Sequence, residues 1–238
     1  MDLSIVIPAY EENLKIQDDI LSADNFLKQN RIVGEIIVVD DGSIDNTFES
    51  ANSLKSETSS NLTIIKLTSN IGKGGAVSEG MKISKGDIVM YADAGLTVPY
   101  ESALIGIDLI KTGKCDLANG SRKMNNSKII KGQDFDRRFI SNIFGFLVKS
   151  LLNIPKEMTD TQCGFKVYKG IVARELFQKL NITGFLFEIE IILLALKKDY
   201  KIVEFPVTWK CDRDSRLSIS KSSRKIISDF IFLFRKYN

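Results

Sequence analysis

The chain has 238 residues, of which 33 are Lys or Arg, 30 are Asp or Glu, 44% are hydrophobic and none is histidine. This composition is that of a folded globular domain and excludes a disordered chain. The missing histidine excludes Ser-His-Asp and Cys-His catalysis and imidazole zinc sites.

Three separated cysteines, Cys115, Cys163 and Cys211, match neither a zinc ribbon nor a disulfide framework, so a reducing compartment is expected. Met1 and Asp2 lead straight into a short apolar run without a basic leader, which predicts no signal peptide. Lys149 breaks one long apolar stretch and Glu188 and Glu190 another, so no transmembrane helix is predicted.

Leu3–Ile7 reads as a buried strand ended by Pro8. Residues 13–30 carry Leu14, Ile16, Ile20, Leu21 and Leu27 at mostly helical spacing. Glu35–Val39 is a second strand, stopped at Asp40-Asp41-Gly42-Ser43, with Ser43 or Asp45 available to cap the next helix. Leu62–Leu67 is a third strand, Gly74–Ser84 a helix after a glycine turn, and Asp87–Ala92 a fourth strand. Alternating strands and helices predict a parallel α/β sheet covered on both faces, with little room for a second sheet. Asp40, Asp41 and Asp93 follow strand ends, where ligands bind in open α/β sheets.

Further on, Phe135–Leu152 reads as a helix with a broad apolar face and a basic start at Arg137 and Arg138. It suits either the core or a membrane interface. Phe187–Leu196 reads as a core helix and Lys201–Trp209 as a strand, while Ile226–Phe234 is apolar with basic flanks. Charge is uneven: residues 1–118 carry a net −8, residues 119–150 a net +5 and residues 197–238 a net +6. The basic half suits phosphates or an anionic membrane, or is a solvated face. Its basic residues lack interleaved aromatics, so no nucleic-acid partner is expected.

Several segments admit two readings. Ile71-Gly72-Lys73-Gly74-Gly75-Ala76 is a phosphate loop, with Lys73 reaching a phosphate, or a plain turn. Asp40, Asp41 and Asp93 could offer hard oxygens to a divalent cation or cap helices; for Asp45 capping is favoured. Asp160, in the polar stretch Thr159–Phe165, is a base or a turn residue. Cys163 has no visible activating base and reads as a packing residue.

Six segments in order, SIVIPAYEEN, EIIVVDDGSIDNT, NIGKGGAV, YADAGLTVP, GSR and TDTQCGFKVY, resemble the family 2 glycosyltransferases. More narrowly, they resemble the branch that glucosylates or mannosylates polyprenyl phosphate. The resemblance runs from Leu3 to about Leu217. It implies a GT-A fold, with a mostly parallel central sheet flanked by helices in a single domain, residues 1–238. Within it, 1–118 is the nucleotide-sugar half, 119–217 the acceptor half and 218–238 a basic amphipathic segment.

The resemblance implies that Pro8, Ala9, Tyr10, Glu12, Asp40 and Asp41 line the nucleotide site, with Lys73, Asp93 and Ala94 beside the donor. Arg122, Gln162 and Arg216 fall at phosphate or acceptor positions, and Asp160 at the position of the catalytic base. Asp93 falls at a metal position for Mg²⁺ or Mn²⁺. The family's Asp-x-Asp reads Asp93-Ala94-Gly95 here, and Gly95 offers no ligand.

The implied reaction is inverting transfer of a hexose from a UDP-glucose or GDP-mannose type donor to a lipid phosphate. A hydroxyl acceptor on a saccharide or lipid is the first alternative, and a non-catalytic nucleotide-sugar-binding protein the second. The expected location is cytoplasmic, with room for peripheral contact at the cytoplasmic face of a membrane; a homo-oligomer is compatible. The resemblance also sets the helix Phe135–Leu152 against the membrane.

Overall fold

The computed structural model describes residues 1–131, 145, 148–211 and 219–237. Among the described residues the strands are β1 (Leu3–Ala9), β2 (Gly34–Asp40), β3 (Asn61–Lys66), β4 (Ile88–Ala92), β5 (Leu117–Ser121), β6 (Lys128–Lys131), β7 (Phe165–Lys169), β8 (Ile202–Pro206) and β9 (Thr208–Lys210). The described α-helices are α1 (Ile16–Gln29), α2 (Thr47–Ser53), α3 (Lys73–Ile83), α4 (Ala103–Lys111), α5 (Gly170–Gln178), α6 (Phe187–Lys197) and α7 (Ile219–Tyr237).

Seven strands form one sheet in the order β3-β2-β1-β4-β7-β5-β8. Neighbours pair in parallel except β7, which runs against both β4 and β5. The sheet is therefore mostly parallel, as the sequence predicts.

The continuous apolar runs of β1, β2 and β4 follow from burial on both faces. Ile5, Ile7, Ile36, Val38 and Met90 face α1, α2 and α4. Val6, Ile37, Val39, Val89 and Tyr91 face a second core built with α3, α5, α6 and α7. In α1 the buried positions include Ile16, Ile20, Ala23 and Leu27, one helical stripe. Leu14 precedes that helix and is exposed, which corrects its place in the predicted pattern.

The predicted strand Lys201–Trp209 is two strands. Pro206 ends β8, the amide of Val207 donates to the Ser121 carbonyl at 3.2 Å, and β9 leaves to pair with β6. That two-stranded sheet is a second sheet, for which the spacing leaves little room, and it corrects that expectation. Of Phe135–Leu152, residues 135–144 and 146–147 lie outside the described residues, as does Arg216. At the described end, Val148 and Leu152 are buried and Leu151 is exposed.

The topology gathers the chemistry along one edge. Ala9 and Asp40 are register partners at the ends of β1 and β2. Ala92, last in β4, pairs with Phe165, first in β7. Ser121, last in β5, pairs with Pro206. The segments beyond these ends carry Tyr10, Asp41, Asp93, Gly164 and Arg122, so all five line one edge of the sheet.

Candidate active site

On the β1–β2 side, Asp40 is fully buried. Its Oδ1 accepts from the Ser43 amide at 2.9 Å, and its Oδ2 is buried with no hydrogen-bond partner among the described residues. A buried carboxylate oxygen is costly unless a donor meets it, so Asp40 Oδ2 has room for one further hydrogen bond. Asp41 is spent differently. Its two oxygens accept from the amides of Ile71 and Gly72 at 2.8 and 2.9 Å. Burial pushes its pKa up against those two hydrogen bonds. Asp41 thus shapes the glycine loop that delivers Lys73. Pro8 and Ala9 end β1, and Tyr10, Glu12 and Ser43 lie in the loops that follow β1 and β2, where the Glu11 amide donates to Ser43 Oγ at 2.8 Å. Asp45 lies one residue before Asn46, the N-cap of α2, rather than at the cap itself, and its Oδ1 accepts from the Thr47 amide at 3.0 Å.

Lys73, the first residue of α3, sends its ammonium to Asp93, 2.7 Å from Oδ1 and 3.0 Å from Oδ2. A second carboxylate, Glu188 from the start of α6, lies 3.4 Å away. Glu188 also accepts from the Tyr91 hydroxyl at 2.7 Å and lies 3.4 Å from the Lys166 ammonium. Two ammonium groups and two carboxylates therefore share one cluster, roofed by the rings of Tyr91 and Phe187. Burial alone would favour the neutral lysine, but Asp93 and Glu188 outweigh it and raise the Lys73 pKa. Burial likewise pushes Glu188 up, and Lys166 and Lys73 more than reverse that. Gly164 is what lets Asp93 fit, because a Cβ there would lie 2.0 Å from Asp93 Oδ2.

Asp19, buried within α1, supports the next turn. Its carboxylate accepts from the amides of Gly95 and Leu96 at 2.8 and 2.9 Å, and Gly95 sits at φ 87°, where glycine is favoured. Burial raises Asp19 to about 7, against those hydrogen bonds.

Past the end of β5, Arg122 grips Asp160 with both arms of its fork: Nε to Oδ2 at 2.7 Å and Nη2 to Oδ1 at 2.9 Å. The Arg122 amide adds a bond to Oδ2 at 3.1 Å, and the Gln162 amide one to Oδ1 at 3.2 Å. Burial would raise the Asp160 pKa, yet the Arg122 hydrogen bonds and charge pull it down to about 2. Gln162 returns a carbonyl to Arg122 at 2.9 Å, and the guanidinium lies over Trp209. Beneath, Glu204 of β8 accepts from the amides of Thr159 and Asp160 at 2.6 and 2.9 Å, which fixes the turn. Burial pushes the Cys163 thiol up to about 12, as suits a packing residue.

Sequence reasoning missed Glu188, Lys166, Glu204 and Asp19. The signal for Glu188 was present, since a carboxylate inside an apolar helix must find a cation when buried. Lys166 is wholly buried, and its ammonium also donates to the Cys163 carbonyl at 2.6 Å.

For a divalent cation the fit is poor. Among the described residues no group of three His, Cys, Asp or Glu side chains could hold a metal ion. Asp93 is the one motif carboxylate, and the Lys73 ammonium lies within 3.0 Å of both its oxygens, hydrogen-bonded to Oδ2. Gly95 contributes nothing.

The fold is that of the GT-A glycosyltransferases. Glucosyl-3-phosphoglycerate synthase from Mycobacterium tuberculosis, solved with Mn²⁺, UDP and phosphoglyceric acid, superposes with a TM-score of 0.73 at 20% identity, covering 98% of this chain and 78% of that one. S. aureus TarS, solved with UDP-GlcNAc, gives 0.65 at 16% identity, covering 98% of this chain and 65% of that one. The chain belongs to glycosyl transferase family 2, whose pattern matches residues 4–177. Dolichyl-phosphate beta-glucosyltransferases from Dictyostelium discoideum and Saccharomyces cerevisiae are each 32% identical to it. The alignments cover 99% of this chain and 74% and 75% of theirs.

Proposed function

We propose that the chain transfers a hexose, glucose in the first instance, from a nucleoside diphosphate sugar to a polyprenyl phosphate, with inversion at the anomeric carbon. The observation that carries the acceptor class is the state of Asp160. A carboxylate with a pKa of about 2 and both oxygens bound to Arg122 is a weak base. A hydroxyl acceptor needs a proton removed. A phosphate monoester arrives already ionised, with a second pKa of about 6. Asp160 then holds Arg122 in place, and Arg122 meets the anion.

In the transfer, an acceptor phosphate oxygen bonds to the anomeric carbon while the bond from that carbon to the diphosphate oxygen breaks. The bonding pair leaves with the nucleoside diphosphate, and no proton is moved. Asp40 receives an N–H of the base through its unpartnered oxygen. Lys73 lies where negative charge grows on the leaving group, so a fixed cation there stabilises the transition state. Arg122 holds the acceptor phosphate, and holding both partners in line supplies the rest. A divalent cation, when bound, would add positive charge beside Asp93 against the diphosphate.

No described helix is long and apolar enough to cross a membrane. We place the reaction at a membrane surface because the acceptor is a lipid.

The test incubates purified protein with radiolabelled UDP-glucose or GDP-mannose and polyprenyl phosphate in detergent, and follows label into the organic phase. Transfer from UDP-glucose is expected. Label appearing only on an added saccharide would replace the acceptor assignment, and nucleotide binding without any transfer would end the catalytic one.

A further inference from the structure

Helix α7 carries one more apolar face than its docking requires. Leu233 is buried, and Ile226, Phe230 and Tyr237 pack against the second core beside it. Positions 226, 230, 233 and 237 form one helical stripe, enough to seat the helix. Polar ties fix both ends: Lys236 and Tyr237 reach Glu190 of α6 at 2.9 and 3.2 Å, and Lys225 reaches Thr183 at 3.4 Å.

The adjoining stripe faces water. Ile227 is 60% exposed, Ile231 45% and Phe234 44%, at i, i+4 and i+7. Arg224 and Arg235 are exposed and flank this stripe, three residues before Ile227 and four after Ile231. Asp229 is the only acidic residue of α7, against five Lys or Arg.

We infer that this outer stripe rests on an anionic lipid bilayer, with Ile227, Ile231 and Phe234 in the interface and Arg224 and Arg235 among the headgroups. Apolar residues flanked by arginine on one helix face match both layers of such a surface. A second copy of the chain is the poorer occupant. Face-to-face pairing of the same patch would bring its arginines towards one another with no acidic partner on that face.

The inference rests on the lipid acceptor proposed above, and the fold supports the connection. Thr183, which Lys225 reaches, gives its carbonyl to the Gly75 amide at 3.1 Å, and the Lys225 charge bears on Asp41. The helix therefore lies beside the loop that delivers Lys73, and a bilayer under it would present lipid phosphates near the crevice.

The experiment is co-sedimentation of the full chain with phosphatidylcholine vesicles, with and without phosphatidylglycerol, for the wild type, Ile231→Glu/Phe234→Glu and Arg224→Glu/Arg235→Glu. All four positions are exposed, and unchanged melting temperatures check the fold. The wild type should bind vesicles containing phosphatidylglycerol and leave them at high salt. Both double variants should lose about tenfold or more in partitioning. The apolar variant should keep its transfer rate on detergent-dissolved polyprenyl phosphate and lose rate on vesicle-borne acceptor. Wild type that ignores the vesicles, or variants that bind them equally well, would overturn the inference. So would sedimentation showing that the apolar variant merely converts a dimer to monomer. Vesicle binding without transfer to either form of acceptor would leave the docking surface standing and remove the proposed function instead.

Discussion

The crevice holds two ion pairs that look alike and are built differently. Lys73 meets Asp93 as a compact ammonium on a flexible stem, shared with Glu188, and both partners are part exposed: 23% and 32% of their side chains. Arg122 meets Asp160 as a planar fork, and Asp160 keeps only 3% of its side chain in contact with solvent. Arginine's fork is preorganised, whereas lysine's charge swings on its stem. With the donor and acceptor sides as we propose them, the donor side has a cation that can shift towards a diphosphate, and the acceptor side has one fixed in advance. An adjustable and a rigid contact in one site suit a donor that leaves as a changed species and an acceptor that must only be held.

Removing the rigid partner should have the largest effect. Arg122→Ala leaves Asp160 as a buried charge without its counter-ion, a loss of about 3–5 kcal/mol. Urea titration should show it as a lower midpoint with unchanged slope. Asp160→Asn in the same background should recover much of that stability and none of the transfer. If the single variant were as stable as the wild type, the contrast between the pairs would fail.

The loop under Asp93 offers a second way to sharpen the contrast. Asp19 is raised to about 7 in the folded protein, from a model-peptide value of about 3.9. Between those values the folded state holds a proton that the unfolded state has lost. Stability therefore falls as pH rises through this window, by at most about 1.4 kcal/mol per pH unit. Asp19→Asn should still accept from Gly95 and Leu96 through its carbonyl and should remove that slope. Melting temperatures from pH 5 to 8 should fall less steeply in the variant, by a few degrees overall. Parallel curves would mean that Asp19 is ionised throughout.

Lys73→Ala tests the adjustable side. Donor affinity in EDTA should fall about tenfold, the order of one lost charge-assisted contact. Mn²⁺ should recover part of it, because Asp93 is then open to the ion. Calorimetry with UDP-glucose separates the two conditions. Equal affinity of variant and wild type in EDTA would take Lys73 out of the donor site.

What the sequence reveals follows the same division. Strands β1, β2 and β4 are legible because their apolar runs are unbroken, and the carboxylates that follow them sit where strands end. The second half is legible only in part: Phe187–Leu196 reads as a helix and is one, but β5 and β7 are hidden. β5 reads Leu-Ala-Asn-Gly-Ser, a turn by composition, and becomes a strand because β7 and β8 flank it. In β7, Lys166 breaks the apolar pattern, yet it is buried against Glu188 from another element. Pairings between segments far apart leave no local trace. That is why Asp93 and Asp160 could be marked from strand ends and motif, while Glu188 and Glu204, which hold their surroundings, could not.

The pH profile decides the acceptor. Asp160 is depressed to about 2 in the fold, so its contribution to stability is complete above the unfolded value of about 3.9 and is lost only as pH falls towards 2. It has no titration left to give near neutral pH. With a polyprenyl phosphate acceptor, the acid limb of kcat/KM should fall near pH 6, where the acceptor itself takes up a proton. Asp160→Asn should leave that limb in place. The rate should drop through weaker positioning of Arg122, by less than the roughly hundredfold that loss of a general base costs at minimum. A limb that moves in the variant, or a drop of about 10³ or more at every pH, would mean that Asp160 removes a proton after all. The acceptor would then be a hydroxyl, and the rigid pair would be a resting arrangement that opens when substrate arrives.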